Sequence, residues 1–284
     1  MLPKAIVFLV LLVAAFAERS HLDFQGKVYK PFLSRVTGGS EAPEASYPYI
    51  VSLQWNINNV HYHFCAGSIL NNQWILTAAH CLHEIFLVGI NNVVVKAGKH
   101  NIQIVESTEQ IVQIEQIFKH EKYLSSYTFY DIGLIKLKNP LKFTKEIQAI
   151  ELSQAENESI KTAYLCGWGL ILSDNVLSDP DKLQHIKLTY IDHKICNLFV
   201  KIRLGYSLVD ETNICTGPST NRISACNGDS GGPLITYYGQ KPVLIGIISW
   251  IIPPCGTSPT VYTKVSKFNA WIKEKIANYT THLY

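Results

Sequence analysis

The chain beyond residue 35 has no excess of charge of either sign. The 284 residues contain 25 Lys and Arg against 22 Asp and Glu, but five of these cations and two of these anions lie in the first 35 residues. The rest of the chain therefore holds 20 residues of each sign. A nucleic-acid-binding protein carries its positive excess on the folded part, so we expect no nucleic-acid partner.

The sequence also lacks a hydrophobic run long enough to cross a bilayer. Its apolar stretch from Ala5 to Ala17 has thirteen residues, whereas a membrane-spanning helix needs about 20. Lys4 precedes this stretch and a small-x-small sequence ends it, which is typical of a signal peptide cleaved after Ala17. We therefore predict a signal peptide over residues 1–17 and a secreted, extracellular protein with no membrane partner. A membrane anchor is the alternative.

Low-complexity tracts, short internal repeats and shifts in composition are absent from the sequence. With 47% apolar residues, the chain can bury a substantial core, and a single folded domain is expected. Short runs rich in Val, Ile, Leu and Tyr are separated by Gly, Asn, Pro and Asp, which is typical of an all-β sandwich or barrel. Helical spacing is clearest near the C-terminus, over residues 266–278. The predicted strands are 50–55, 67–70, 74–77, 93–97, 110–118, 133–137, 164–168, 184–191, 233–237, 242–250 and 261–265.

The segment from Asn227 to Pro233 combines an acid, a hydroxyl and three glycines in seven residues. Acyl transfer needs such a combination, because a serine hydroxyl is a weak nucleophile until a base removes its proton. The oxyanion formed next needs backbone N–H donors that side chains do not obstruct, and glycines beside Ser230 leave them open. The segment predicts Ser230 as a nucleophile, with a simple turn as the alternative.

A base and a carboxylate that orients it are the next requirement for this chemistry. His80 ends an apolar segment and is followed at once by a cysteine. Asp131 opens an apolar strand, where a charge needs a partner. We predict His80 as the general base and Asp131 as its partner; a satisfied core histidine and a strand-capping aspartate are the alternatives.

These three segments together resemble the chymotrypsin family of serine endopeptidases. Thr-Ala-Ala-His-Cys, Asp-Ile-Gly-Leu-Ile and Gly-Asp-Ser-Gly-Gly-Pro-Leu occur in the family's order, and the match runs from Val36 to the C-terminal helix. The resemblance implies two six-stranded antiparallel β-barrels with the active site between them and a C-terminal α-helix. His80 and Asp131 would come from the first barrel and Ser230 from the second. Gly228 and Ser230 would supply the N–H groups of the oxyanion hole.

The resemblance also implies a zymogen. Cleavage after Arg35 would free the α-amino group of Val36, which in the family inserts and pairs with the residue before the nucleophile, here Asp229. Residues 18–35 would be the activation propeptide and residues 36–284 the peptidase domain. The partners expected are an activating protease that cuts after Arg, protein or peptide substrates, and protein inhibitors of the mature, monomeric enzyme.

The specificity pocket resembles that of the elastases. Ser224 stands at the pocket floor, where trypsin-like members carry Asp, and Ile251 and Thr260 stand where chymotrypsin-like members keep glycine. Two β-branched side chains should fill the slot, so cleavage after small or medium aliphatic residues is expected. A chymotrypsin-like preference for Leu or Phe is the alternative, and a catalytically inactive binding homologue is a second. Ser249, Trp250 and Ile251 resemble the strand that pairs with the substrate backbone.

A secreted chain is expected to form disulfides and to carry glycans. The resemblance pairs the cysteines as Cys65 with Cys81, Cys196 with Cys215, and Cys226 with Cys255. Cys166 is the remaining one of the seven, either a buried free thiol or an intermolecular link. Asn157 and Asn278 open the two glycosylation sequons.

No metal or other cofactor is expected. His61 and His63 have the spacing of two zinc ligands, but nothing near them in the sequence completes a site. The segment from Lys99 to Glu109 resembles the family's calcium loop. Lys99 replaces a usual Glu ligand there, and its positive charge would repel Ca²⁺, so a bridge to Glu109 is expected instead.

Overall fold

The computed structural model describes residues 39–124, 129–154, 162–173, 176–206, 208–217 and 224–281. The predicted signal peptide and propeptide, Arg35, Val36 and Asn157 lie outside these residues. Over the described ranges, none of the helices combines the length and apolar character needed to span a membrane.

Six antiparallel strands close the first barrel in the order β2-β3-β4-β7-β6-β5. Its short strands β5 and β7 are buried at every position, including Lys96 in β5 and Lys136 in β7. The strands are β2 (Ile50–Ile57), β3 (Val60–Asn71), β4 (Trp74–Thr77), β5 (Val93–Ala97), β6 (Gln110–Lys119) and β7 (Gly133–Leu137).

The second barrel is also six-stranded, antiparallel and closed. Its path runs β12-β13-β16-β15-β14-β9, and the pairing of β9 with β12 completes the ring. The inward residues, among them Leu165, Ile245 and Tyr262, form a separate apolar cluster. The strands are β9 (Thr162–Gly167), β12 (Gln184–Ile191), β13 (Asn213–Thr216), β14 (Pro233–Tyr238), β15 (Lys241–Ile251) and β16 (Thr260–Lys264). The predicted pair of barrels is therefore confirmed.

In the part of the chain that the structure describes, four short strands lie outside the barrels. β1 (Ser40–Glu41) pairs with β12, and β8 (Glu151–Leu152) pairs in parallel with β15. β10 (Ile171–Ser173) and β11 (Val176–Ser178) form a hairpin.

Among the described residues, three α-helices accompany the barrels: α1 (Ala79–Val88), α2 (His193–Leu204) and α3 (Asn269–Thr281). A short 3-10 helix, Ile90–Asn92, follows α1, and another, Val265–Phe268, leads into α3. The predicted C-terminal helix is thus present, preceded by a 3-10 turn, whereas α1 and α2 were not predicted.

Candidate active site

Asp131 lies two residues before β7, and its carboxylate forms hydrogen bonds with the start of α1. The helix follows β4 directly and has no side-chain cap at Ala78, so the N–H groups of its first turn need acceptors from elsewhere. Oδ1 of Asp131 accepts the backbone N–H of His80 at 2.9 Å, and Oδ2 lies 2.8 Å from His80 Nδ1. One carboxylate therefore fixes both the backbone and the ring of His80.

Two hydroxyl groups hold Asp131 in turn. Ser249 Oγ donates to Oδ2 at 2.5 Å, and Thr263 Oγ1 donates to the backbone carbonyl of Asp131 at 2.7 Å. Ser249 stands at an irregularity of β15, where the register against β16 shifts between Ile248 and Trp250. Such an extra residue redirects a side chain, so the bulge aims the Ser249 hydroxyl at a carboxylate that is only 2% exposed.

The hydrogen bonds determine which ring nitrogen of His80 carries the proton. A carboxylate can only accept, so the proton sits on Nδ1 and the Nε2 lone pair is free to take another. Burial by itself lowers the pKa of His80, but the charge of Asp131 and its hydrogen bond outweigh burial, and the net pKa is raised. The ring is thus a stronger base than a free imidazole.

The loop that carries Ser230 lies directly against the segment that leads into α1. The Ser230 carbonyl accepts the N–H of Ala66 at 2.8 Å. A Cβ added at Gly231 would stand 2.2 Å from Thr77 Oγ1 and 3.2 Å from the nitrogen of Ala78. Glycine is therefore needed at residue 231, and the resulting close approach brings the nucleophile loop beside the helix that begins with His80. The Ser230 hydroxyl has no hydrogen-bond partner within the described part of the chain; such catalytic contacts often tighten only when substrate binds.

Both peptide groups that flank Gly228 are held in place. The Asn227 carbonyl accepts the N–H of Leu170 at 2.7 Å, so the N–H of Gly228 in the same peptide points the opposite way. The Gly228 carbonyl lies 2.8 Å from Nε2 of His63. Within the described residues, the N–H groups of Gly228 and Ser230 have no acceptor, so both are available to a ligand.

His63 belongs to a buried chain of hydrogen bonds that ends on Gly228. Because a carbonyl only accepts, His63 Nε2 is the donor, and Nδ1 accepts from Ser52 Oγ at 2.8 Å. Ser52 Oγ accepts in turn from Gln54 Nε2 at 2.9 Å. Burial lowers the pKa of His63 to about 4, against the opposing effect of the Gly228 hydrogen bond. His63 is therefore a neutral donor at physiological pH, and both its nitrogens are occupied, which removes the zinc interpretation of His61 and His63.

Asp229 is buried without a cationic partner among the described residues. Its Oδ1 accepts the N–H of Gly169 at 2.8 Å, and its Oδ2 accepts the N–H of Cys226 at 3.0 Å. Burial raises its pKa to about 6, although these two N–H groups lower it. A Cβ at residue 169 would lie 2.4 Å from the carboxyl carbon, so glycine there makes room for the carboxyl group.

The predicted pocket residues lie on adjacent segments of the second barrel. Ser224 is 4% exposed, and its hydroxyl donates to the Ala225 carbonyl at 2.8 Å. Ile251 keeps its register opposite Thr260, and its side chain packs against the apolar cluster that includes Ala225. The sequence Ile252-Pro253-Pro254 that follows Ile251 therefore does not displace Ile251 from its strand.

The end of β15 lies beside the loop that carries Ser230. Trp250 and Ile251 pair with β16 on one side of the strand. On the other side, the pairing with β14 begins at Ile247, and Ile248 bonds to Gly231 and Gly232 of the Ser230 loop. The predicted substrate-binding segment, Ser249 to Ile251, therefore directly follows the residue of β15 that contacts this loop.

All three predicted disulfides are present, and they brace this site. Cys65–Cys81 ties α1 to β3, Cys196–Cys215 ties α2 to β13, and Cys226–Cys255 ties the nucleophile segment to the loop after β15. Cys166 is free and buried, and burial raises the pKa of its thiol. The intermolecular link considered for Cys166 is therefore wrong. Asn278 lies exposed on α3.

The loop from Lys99 to Glu109 does not suit a calcium ion. Nζ of Lys99 lies 2.5 Å from Glu109 Oε2, 3.2 Å from Glu106 Oε2 and 2.5 Å from the Ile104 carbonyl oxygen. The Lys99 side chain is fully buried, so its ammonium group takes the central position among these oxygens. Within the described residues, the one cluster with metal-ligand atoms close enough together is Cys65, His80 and Cys81, and its two cysteines are in a disulfide.

Sequence reasoning missed the roles of His63, Ser52 and Thr263. His63 stands two residues before Cys65, but nothing in this local sequence indicates a contact with Gly228. Thr263 had no signal at all, because an alternating strand sequence does not reveal which neighbour a hydroxyl reaches.

Comparison with known proteins is consistent with this geometry. The sequence model of the family described as Trypsin matches residues 36–272. Serine protease 1 of Rattus norvegicus is 36% identical over 247 residues, which cover 86% of this chain and 90% of that protein. Trypsin of Xenopus laevis is 35% identical over 245 residues, 86% of this chain and 91% of that protein. Trypsin-1 of Gadus morhua is 31% identical over 281 residues, 97% of this chain and 100% of that protein. The chain therefore belongs to the trypsin family of serine proteases.

Proposed function

We propose that the chain is a secreted serine endopeptidase in which Ser230 is the nucleophile, His80 the general base and Asp131 the residue that orients His80. The observation that carries this proposal is that Asp131 accepts two hydrogen bonds from His80, one from its backbone N–H and one from its Nδ1–H. A buried carboxylate in that position holds the tautomer that leaves Nε2 free for a proton.

Each step of peptide hydrolysis has a group to perform it. His80 Nε2 takes the proton of the Ser230 hydroxyl as Oγ attacks the carbonyl carbon of the substrate. The N–H groups of Gly228 and Ser230 receive the oxyanion, and the hydrogen bond from His63 keeps the Gly228 region in place. The imidazolium then gives its proton to the leaving amine, and water repeats the sequence on the acyl-enzyme.

Activation would supply the missing partner of Asp229. A buried carboxylate with a raised pKa is stabilised by a cation, and the α-amino group of Val36, freed by cleavage after Arg35, has the required charge. The proenzyme would consist of the signal peptide 1–17, the propeptide 18–35 and the peptidase domain 36–284. An arginine-directed protease is its activating partner, and the mature, monomeric enzyme would be a target for protein inhibitors.

We assign an elastase-like preference for small or medium aliphatic residues before the cleaved bond. Two of the three relatives named above are called trypsins, but here the floor of the pocket is the neutral Ser224, which would leave a buried Lys or Arg uncompensated. Ile251 and Thr260 occupy the walls, where their branched side chains restrict the width of the slot. A chymotrypsin-like preference for Leu or Phe remains the second candidate.

The test is to cleave the protein after Arg35 and compare kcat/KM on peptides that differ only in the residue before the scissile bond. Ala and Val should exceed Phe and Lys by at least about tenfold, since a poor fit in the pocket costs about 1 to 3 kcal/mol. Preference for Phe would favour the chymotrypsin-like candidate, and preference for Lys would overturn both assignments.

Two variants make this test specific. Ser230→Ala, processed in the same way, should be inactive, and activity that survives in it would exclude Ser230 as the nucleophile. The double variant Ile251→Gly with Thr260→Gly should shift the preference toward Phe.

A fluorophosphonate probe should label the activated wild type and not Ser230→Ala. Absence of labelling in folded, processed wild type would indicate the inactive binding homologue.

A further inference from the structure

Helix α2 exposes a row of large apolar side chains to solvent. Ile195, Leu198 and Ile202 are 50%, 58% and 71% exposed, and Phe199 is 39% exposed. Tyr206, just after the αL cap at Gly205, is 58% exposed. The intervals of three, one and three residues place Ile195, Leu198, Phe199 and Ile202 on one side of the helix. This side, defined by these four residues, is called the α2 ridge below.

The α2 ridge is separate from the part of the helix that serves the fold. Cys196 and Val200 on the opposite side are buried in a cluster with Trp250 and Val261 of the second barrel. The helix thus has an apolar face toward the protein and a second apolar face toward solvent. A helix at the surface of a folded protein normally presents polar residues to water, and a row of exposed apolar residues indicates an interaction site.

Within the helix itself, the charged residues beside the α2 ridge are all positive. At 100° per residue, Lys194 and Lys201 border the ridge on one side and Arg203 borders it on the other. The helix sequence from His193 to Leu204 contains no Asp or Glu. Asp192 precedes the helix and caps its first turn by accepting the N–H of Lys194. The ridge therefore needs a partner that accepts apolar side chains and carries negative charge.

Two occupants of the ridge are disfavoured by charge. A second copy of the chain, bound through the same face, would bring Lys194, Lys201 and Arg203 against their own equivalents. The segment of residues 18–35 carries Arg19, Lys27, Lys30 and Arg35 against two acids, so it also has the wrong sign.

We propose that the α2 ridge docks on an anionic lipid surface, with its apolar side chains among the acyl chains and its basic residues at the headgroups. Apolar residues bordered by Lys and Arg are the pattern of helices that lie in a membrane interface. Long basic side chains at the border reach the headgroups while the apolar side chains enter. The sequence predicts no membrane partner because the chain lacks a membrane-spanning segment. Docking at the membrane interface does not require such a segment. This proposal is independent of the catalytic assignment.

Vesicle binding tests the proposal with the secreted Ser230→Ala protein, residues 18–284, which excludes self-digestion and any contribution from the apolar segment 5–17. We expect it to sediment with phosphatidylcholine vesicles that contain phosphatidylserine and to bind pure phosphatidylcholine at least about tenfold more weakly. Higher salt should weaken binding to the anionic vesicles.

Two sets of substitutions locate the binding surface. Adding Leu198→Gln and Ile202→Gln, or Lys194→Glu and Lys201→Glu, should lower the affinity for anionic vesicles at least about tenfold. Adding Phe86→Gln and Leu87→Gln on α1 is the matched control, because these residues are 68% and 69% exposed on another helix. This control should bind vesicles like its parent. Unchanged circular dichroism and thermal unfolding would show that all variants fold.

Three outcomes would overturn the proposal. The parent protein could fail to bind anionic vesicles, in which case the ridge serves an acidic protein surface instead. Binding could persist in the Leu198→Gln, Ile202→Gln variant, which would place the lipid contact elsewhere. Finally, sedimentation without vesicles could reveal a dimer that the same substitutions dissociate, which would make the ridge a contact between two copies.

Discussion

The hydroxyl of Ser249 donates a 2.5 Å hydrogen bond to Oδ2 of Asp131, the same oxygen that lies 2.8 Å from His80 Nδ1. Both groups bond to the same oxygen of a buried carboxylate. The hydrogen bond from Ser249 therefore reduces the negative charge that Asp131 presents to His80. This strand residue from the second barrel thereby regulates the basicity of a histidine on the first.

Replacing Ser249 with Ala should therefore move the acid limb of the kcat/KM profile to higher pH. Loss of the donor leaves more negative charge facing His80, which raises the pKa of His80 further. The plateau value should fall by about tenfold as the carboxylate loses a support. Thr263→Val is the matched control, because Thr263 donates to the backbone carbonyl of Asp131; an equal shift of its acid limb would contradict this account.

Substitution of His63 by Ala should lower kcat with little change in KM. The His63 ring donates to the Gly228 carbonyl, so its removal loosens one of the two N–H groups assigned to the oxyanion, with an expected loss of about tenfold. His61→Ala, two residues earlier on β3, should behave as wild type. A rise in KM with unchanged kcat would show that His63 acts on substrate binding instead.

Stability of the uncleaved chain should depend on pH through Asp229. Its folded-state pKa is raised from the ordinary value of 3.8 to about 6. The contribution of Asp229 to the stability of the folded state is therefore fully present below pH 3.8 and is lost as pH rises through 6. Relative to Asp229→Asn, the wild-type proenzyme should lose up to about 3 kcal/mol of unfolding free energy between these values.

Urea unfolding of both proteins at a series of pH values, each carrying Ser230→Ala, measures this difference. After cleavage at Arg35, the amino group of Val36 should lower the pKa of Asp229. The loss of unfolding free energy between pH 3.8 and 6 should then disappear. A pH-independent difference in the proenzyme would mean that Asp229 already has a cationic partner.

Lys99 should be essential to the stability of the loop from Lys99 to Glu109. Lys99→Met removes the buried ammonium group and leaves Glu106 and Glu109 facing each other, which should cost about 3 kcal/mol of unfolding free energy. Lys182→Met is the control; its ion pair with Glu41 is half-exposed and should contribute less than about 1 kcal/mol.

Lys99→Glu extends the same test. Three carboxylates and the Ile104 carbonyl form an oxygen set suited to Ca²⁺, so calcium should raise the melting temperature of this variant and leave that of the wild type unchanged. Calcium stabilisation of the wild type would show that Lys99 does not take the place of the ion.

The strands were the most predictable elements. The predicted ranges 74–77, 93–97, 133–137 and 184–191 have the same bounds in the structure, because apolar, β-branched runs end there at turn residues. Helix α2 was missed because apolar residues occupy both its buried face and the exposed ridge, which hides the helical period. Helix α1 was missed because it begins directly after β4 with no capping side chain.

The sequence by itself indicated an all-β fold and the three candidate catalytic residues, because strand patterning and local motifs lie in short segments. The resemblance carried by those motifs implied the two barrels and the three disulfides. Only the tertiary structure decided what supports the three candidate catalytic residues. Ser249 meets Asp131 across 118 residues of sequence, and His63 meets Gly228 across 165. These contacts arise where the two closed barrels meet, and such positions depend on strand register and bulges that no local sequence pattern encodes.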